Sequence, residues 1–362
     1  MSIFTFREYY IKVIAGERSG SFSGAIRKAL YLISKLYEFV VKTRIFFYKK
    51  GIFKRVRLPV PVISVGNITI GGTGKTPVVE YVSKYLRGKG KRVAILSRGY
   101  ASRIKQNNSS FEDACNDEYL LLRENIPDVP NLLHKDRVKT GLKAIQYFNA
   151  EYLVLDDGFQ HLRLIRDIDM VVIDALNPFG YEEIIPCGML REPLRDLGRA
   201  GMIILTHVDQ CGHDKVRFII GRLNKLAEDV PVIQTVHKPV CLELVDNASS
   251  LDVCYLYGKR VFAFCAIGNP VSFRKSIEGL GCVLLGFRIF PDHHIYTVSE
   301  LKELNSEAQR NKPDAIIITQ KDKVKIKNVQ GIWDFPVWVL KMEIGIIKGN
   351  EIFENKLNTL LN

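Results

Sequence analysis

Val65-Gly66-Asn67-Ile68-Thr69-Ile70-Gly71-Gly72-Thr73-Gly74-Lys75-Thr76-Pro77 follows directly on an apolar run over 60–65, and its reading decides the fold. Its glycines free backbone N–H groups to converge on an anion, Lys75 has the reach for β and γ phosphates, and the Thr76 hydroxyl suits Mg²⁺. The strict spacing asks for glycine where Thr69 stands, so the loop is a variant of the pattern. The flanks support it: an apolar strand precedes, a helix-compatible stretch over 78–87 follows with Pro77 tolerated in its first turn, and an apolar run over 92–96 completes a βαβ unit. The segment predicts a cradle for a nucleoside triphosphate, contacted by Thr69, Ile70, Gly71, Gly72, Thr73, Gly74, Lys75 and Thr76.

Outward from the loop, apolar runs over 152–155, 170–173 and 202–205 read as further buried strands of a parallel sheet flanked by helices. A helix is expected over 112–123 after a polar loop at 105–110, and short alternating segments over 232–253. A second α/β set follows, with strands over 261–266, 283–289 and 315–319 and helices over 272–280 and 298–311. The expected organisation is a basic amphipathic segment at 1–57, a P-loop kinase domain at 58–235, a linker at 236–255, a second, smaller α/β domain at 256–345 and a C-terminal helix at 346–362.

The chain of 362 residues is long enough for two domains with cores, and 47% apolar content excludes a disordered or fibrous class. Its net charge of +13 is unevenly placed: residues 1–57 hold thirteen Lys or Arg against three Glu. That concentration points to the N-terminal segment and not to a nucleic-acid surface. Ile26, Leu30, Leu32, Ile33, Leu36, Phe39, Val40 and Phe46 there are interrupted by Lys35, Glu38, Lys42 and Arg44. A spanning helix needs about 20 largely uncharged residues. The segment instead reads as a basic amphipathic helix for an anionic membrane surface, or as one packed on its own domain. Seven scattered cysteines without a C-x-x-C pair read as reduced core residues, which fits the cytoplasm.

Asp156 and Asp157 end the strand over 152–155, where a carboxylate beside a P-loop holds Mg²⁺ directly or through water. Phosphoryl transfer also needs a group to receive the acceptor's proton. Two clusters suit, Asp117-Glu118 and Pro291-Asp292-His293-His294; a carboxylate partner would orient and polarise an imidazole. Leu190-Arg191-Glu192-Pro193 and Thr319-Gln320-Lys321-Asp322 are polar loops able to meet phosphate or metal. Leu205-Thr206-His207-Val208-Asp209 ends another strand and faintly resembles the base-reading loop of P-loop GTPases, but Thr206 and His207 stand for its Asn and Lys, so it identifies no nucleotide.

Taken together with the P-loop, Leu96-Ser97-Arg98-Gly99-Tyr100, Asn116-Asp117-Glu118, Leu155-Asp156-Asp157-Gly158-Phe159-Gln160-His161, Pro186-x-Gly188-x-Leu190-Arg191-Glu192-Pro193 and Phe290-Pro291-Asp292-His293 run in order across roughly residues 20–325. This combination resembles the tetraacyldisaccharide 4′-kinase family of lipid A biosynthesis. The resemblance implies transfer of the ATP γ phosphate to the 4′ hydroxyl of a tetraacyl-disaccharide 1-phosphate at the cytoplasmic face of the bacterial inner membrane. It implies that Asp117 and His293 form the activating dyad, that Lys75 binds the terminal phosphates, and that Thr76, Asp156, Asp157 and Glu192 surround Mg²⁺. Arg98, Gln160, His161, Arg191 and Lys321 become candidates for substrate or phosphate contacts. Where the family often shows Gly-Asp-Glu-Pro, this chain has Asn116-Asp117-Glu118-Tyr119, with Asp113 and Glu118 as neighbouring acids. Two other readings stay open: a nucleotide switch or assembly ATPase or GTPase acting through a protein partner, and a kinase of a small soluble metabolite.

Overall fold

A computed structural model of the chain describes residues 3–17, 20–98, 117–246, 249–326 and 331–361. The expected loop at 105–110, the first residues of the expected helix at 112–123, and Asp113 lie outside these. The chain divides into two compact units, Met1–Arg98 with Val129–Val236 and Ile346–Asn362, and Gly99–Asp128 with His237–Gly345.

Two helices open the first unit, α1 (Ile3–Ile14) and α2 (Ser21–Lys49), followed by β1 (Val62–Gly66), α3 (Lys75–Gly88) and β2 (Val93–Ser97). After α4 (Asp117–Asn125), which belongs to the second unit, come β3 (Asn131–Leu133), α5 (Arg137–Phe148), β4 (Tyr152–Asp156), β5 (Ile168–Asp174), β6 (Met202–Thr206) and α6 (His213–Leu226). Residues 232–244, expected as short segments, form one 13-residue strand, β7 (Val232–Leu244). The second unit continues with β8 (Ser250–Leu251), β9 (Arg260–Cys265), α7 (Pro270–Glu278), β10 (Val283–Ile289), α8 (Val298–Asn311), β11 (Ala315–Thr319), α9 (Gln320–Lys323) and β12 (Val337–Lys348). Helix α10 (Asn350–Asn358) returns to the first unit.

The first unit's strands run in the order β7-β6-β5-β1-β4-β2-β3, every pair parallel. Strands β1, β2, β4 and β6 are buried throughout, as a parallel sheet covered on both faces requires. The order turns about β1: β4, β2 and β3 lie on one side, β5, β6 and β7 on the other. The loop leaving β1 therefore emerges at the switch point, where an open parallel sheet leaves its ligand crevice.

In the second unit the order is β10-β9-β11-β12, again parallel. Side chains alternate across β9, so that Phe262 and Phe264 join Leu301, Leu304, Ile316 and Ile318 in one core, while Val261, Ala263 and Cys265 join Phe273, Ile277 and Trp338 in another. Helix α8 starts where the sequence supplies a capping box, Thr297 with Glu300.

Helix α2 leaves a stripe uncovered: Leu32, Leu36, Phe39, Val40 and Phe46 are all more than half exposed. Their spacing puts them on one face, and Lys28, Lys35, Lys42 and Lys49 recur every seventh residue along its flank. Among the described residues no helix is long and apolar enough to cross a membrane.

Candidate functional site

Glycine is required twice where β1 becomes the loop. A Cβ on Gly66 would lie 2.6 Å from both the backbone N and the Cβ of Phe159, so only glycine lets the segment after β4 approach. Gly74 caps α3 in the left-handed region at φ 84°. That turn starts α3 with no acidic residue in its first turn and no side-chain cap, which leaves its first N–H groups and positive end for an anion.

The loop is braced from within and from the side. Buried Asn67 donates through Nδ2 to the Thr69 carbonyl (2.6 Å) and the Thr73 hydroxyl (3.2 Å), and the Thr206 hydroxyl of β6 donates to the Thr73 carbonyl at 3.1 Å. Residues 189–191 lie alongside: the Ile70 N–H donates to the Met189 carbonyl, and the Arg191 N–H to the Ile68 carbonyl. Gln160 commits its side chain to this frame, donating to the Asn67 carbonyl at 2.9 Å, while Arg44 of α2 donates to the Gln160 carbonyl. Thr69, Thr73 and Thr76 are buried; Gly71 and Gly72 are exposed.

Three predicted residues converge beside the loop. Asp157, in the left-handed region at φ 54°, accepts from Arg191 Nη1 at 2.9 Å on both oxygens, and Lys75 Nζ stands 3.7 Å from Oδ1. Burial works to raise the Asp157 carboxyl, yet Lys75 and then Arg191 hold it below the usual carboxylate range. Asp156 is buried at the end of β4, paired in register with Val65 of β1, and Arg137 donates to its carbonyl at 3.1 Å. Glu192 takes another partner: almost wholly buried, it accepts from Arg199, whose guanidinium lies 4.3 Å over the Phe159 ring. Burial pushes Glu192 up to about 7, against Arg199 and with Asp196. Burial, then Arg137, Arg166 and Arg44, push His161 down to about 4, so it is a neutral imidazole at physiological pH. Arg98 is exposed just beyond β2.

The donors around α3 suit Mg²⁺ in kind. That ion keeps several waters and is usually held by one or two carboxylates together with substrate phosphates, which a buried Thr76 hydroxyl and the buried Asp156 carboxylate would supplement. Among the described residues no three Asp, Glu, His or Cys side chains are gathered as a ready-made metal cage.

The second unit builds a separate arrangement. Asp117 opens α4 and is buried; His293 follows β10 at φ 62°, and its Nδ1 lies 2.8 Å from Asp117 Oδ1. Burial would raise the Asp117 carboxyl, but the hydrogen bond from His293 and the ammoniums of Lys321 and Lys325 hold it well below the usual range. An ionised carboxylate only accepts, so Nδ1 carries the hydrogen and Nε2 keeps its lone pair. The bond to Asp117 in turn raises the His293 imidazole above its ordinary value. Lys321 pairs with Glu118 at 3.2 Å, and His294 turns to Glu300 and stacks on Phe290. His207 and Asp174, of the first unit, form their own buried pair at 3.0 Å.

Sequence reasoning missed Arg137 and Lys325. Arg137 is a buried cation and the Lys325 side chain is largely covered, and hydrophobic periodicity gives no sign of such residues.

A P-loop at the switch point of a parallel sheet, flanked by a Lys–Asp–Arg cluster, defines the P-loop nucleotide-handling class. The chain belongs to the tetraacyldisaccharide-1-P 4′-kinase family, whose profile matches residues 26–362. Relatives named tetraacyldisaccharide 4′-kinase include one from Syntrophus aciditrophicus, 36% identical over 343 residues (90% of this chain, 91% of the relative), and one from Elusimicrobium minutum, 36% identical over 337 residues (90% and 89%). The crystal structure of the "apo" form of LpxK from Aquifex aeolicus in complex with ATP matches with a TM-score of 0.71 and 30% identity, over 93% of this chain and 100% of that one.

Proposed function

We propose that the chain transfers the γ phosphate of ATP to the 4′ hydroxyl of a tetraacyl-disaccharide 1-phosphate, working at the cytoplasmic face of the inner membrane. The observation that carries the reading is the Asp117–His293 pair, which lends the chain a general base besides its phosphate cradle.

In this reading the first unit holds the nucleotide, with the N–H groups of residues 69–76 and Lys75 on its phosphates. Thr76 and Asp156 would hold Mg²⁺, which supplies charge neutralisation on the phosphate oxygens when bound. Asp157 keeps Lys75 and Arg191 aimed at the terminal phosphate, and Glu192 orients Arg199. The second unit supplies the base: His293 Nε2 takes the proton of the attacking hydroxyl as the new O–P bond forms and the bond to ADP breaks. Asp117 stabilises the imidazolium that results. An acceptor with four acyl chains must be met at a bilayer, and the apolar stripe of α2 with its lysine column is suited to that surface. Next to its first turns an open cleft of about 280 Å³ is lined by Gly24, Arg27, Lys28, Tyr31, Glu183 and Cys187.

The test is transfer of labelled γ phosphate from ATP to detergent-solubilised tetraacyl-disaccharide 1-phosphate, with Lys75→Ala as control. Labelled lipid that is absent in the control is the expected result. Release of free phosphate alone would overturn the kinase reading in favour of a nucleotide switch.

A further inference from the structure

The residues following β11 grip α4 at every turn. Gln320 donates to Asn125 at 3.1 Å, Lys321 pairs with Glu118 at 3.2 Å, Lys323 with Glu124 at 2.6 Å, and Lys325 with Asp117 at 3.3 Å. Among the described residues Lys325 is the lysine paired with the dyad's acid, beside the more distant charge of Lys321, and it is held in a fixed seat. Its side chain is only 7% exposed, its ammonium donates to the Ala266 carbonyl at 3.0 Å, and Asp322 Oδ1 lies 3.9 Å away.

Asp322 is itself locked. Wholly buried, it accepts from the Ala266 N–H (2.9 Å), the Tyr296 hydroxyl (2.9 Å) and the Thr319 hydroxyl (2.6 Å). The ammonium is thus directed toward Asp117 Oδ2, the oxygen that His293 does not use and that has no hydrogen-bond partner among the described residues, so the contact is one of charge. In a buried setting a unit charge at that distance acts far more strongly than it would in water.

We propose that Lys325 is a positioning residue for the reaction: its ammonium keeps the Asp117 carboxylate charged and turned to His293 Nδ1, so that Nε2 stays the proton acceptor. The inference rests on the dyad reading given above. His293 is faced by Asp117 from α4, by Asp292 of its own loop at 3.7 Å and by Lys321, so Lys325 acts on it through Asp117 and through its field. Without that positive charge the imidazole binds its proton more tightly, the free base becomes scarcer at neutral pH, and activity needs a higher pH.

The experiment measures kcat against pH, at saturating ATP and lipid, for the full chain and for Lys325→Gln, Lys325→Arg, His293→Ala and the His293→Ala/Lys325→Gln double variant. Glutamine can still donate to the Ala266 carbonyl while removing the charge; Lys325→Met replaces it if the glutamine variant does not fold. The expected result is a kcat roughly tenfold lower in Lys325→Gln at neutral pH, with KM for ATP unchanged, the acid limb displaced to higher pH and the limb preserved in Lys325→Arg. The double variant should be no slower than His293→Ala. The inference falls if the glutamine variant keeps the parent rate and limb, if glutamine and arginine slow the enzyme equally with an unmoved limb, or if the double variant is slower than His293→Ala. Parent activity in His293→Ala would overturn the dyad reading, and this inference with it.

Discussion

His293 occupies the left-handed region, which a residue with a Cβ adopts at some cost, and that turn brings its Nδ1 onto Asp117. The pairing has a kinetic consequence whose sign follows from the direction of the shift. The base form is neutral imidazole, and the bond to Asp117 raises the pH at which the proton leaves. The acid limb of the kcat profile should therefore lie above the ordinary imidazole value of 6.5 and fall away as pH drops through it. Asp117→Asn should move that limb down, and His293→Ala should cost about 10²–10⁴-fold in kcat. A limb at or below the ordinary imidazole value, measured with saturating substrates, would count against His293 as the base. At this scale the sequence was legible in part. Spacing around the P-loop marked Lys75 and Thr76, because a phosphate cradle is local in the chain. Asp117 and His293 are 176 residues apart, and only resemblance to a family joined them. Lys325 gave no signal, because its role depends on a carboxylate set by another element.

Elements repeat the pattern. The strands flanking the P-loop read correctly because continuous apolar runs are what a two-faced parallel sheet demands. Helix α5 escaped notice: its buried positions are Arg137, Val138, Thr140, Gly141 and Ala144, too polar and small for a clear apolar period. Strand β12 was equally faint, its run broken by Lys341, Glu343 and Gly345. Helix α2 is the reverse case, a strong apolar stripe that the fold leaves uncovered. If that stripe meets lipid, each large side chain adds burial worth about 1.5–3 kcal/mol. Leu36→Asp and Phe39→Asp should then each lower the partition onto vesicles with anionic headgroups by roughly tenfold or more, and added salt should weaken the parent's binding by screening its lysines. Sedimentation with vesicles reads both effects. Binding unchanged by either substitution would mean that this face does not meet the bilayer.

At the scale of the whole molecule, the chain leaves the first unit at Arg98, returns at Val129, leaves again at Val236 and re-enters only at Ile346. The unit that carries the P-loop is thus completed by a stretch that follows the whole of the second unit. That stretch is anchored by specific contacts: Phe353 is buried edge-on to Tyr81 and Tyr85, the Tyr152 hydroxyl donates to the Leu360 carbonyl at 2.6 Å, the Tyr85 hydroxyl to Asn358 at 3.0 Å, and Lys356 to the Gly201 carbonyl at 2.7 Å. Tyr81 and Tyr85 lie on α3, the helix whose first turn ends the P-loop, and Tyr152 begins β4, the strand that ends in Asp156. Loss of α10 therefore loosens the two elements that carry the phosphate and metal candidates from their far ends. Phe353→Ala should cost about 3–5 kcal/mol, as for a large aromatic removed from a core. The cost belongs to the first unit alone, so in thermal unfolding the transition that ATP shifts upward should move down while the other stays in place. A chain ending at residue 348 should bind ATP weakly and be cut first within 58–236 by limited proteolysis. Equal loss in both transitions, or cleavage first within 249–345, would show that α10 does not serve the nucleotide unit in particular.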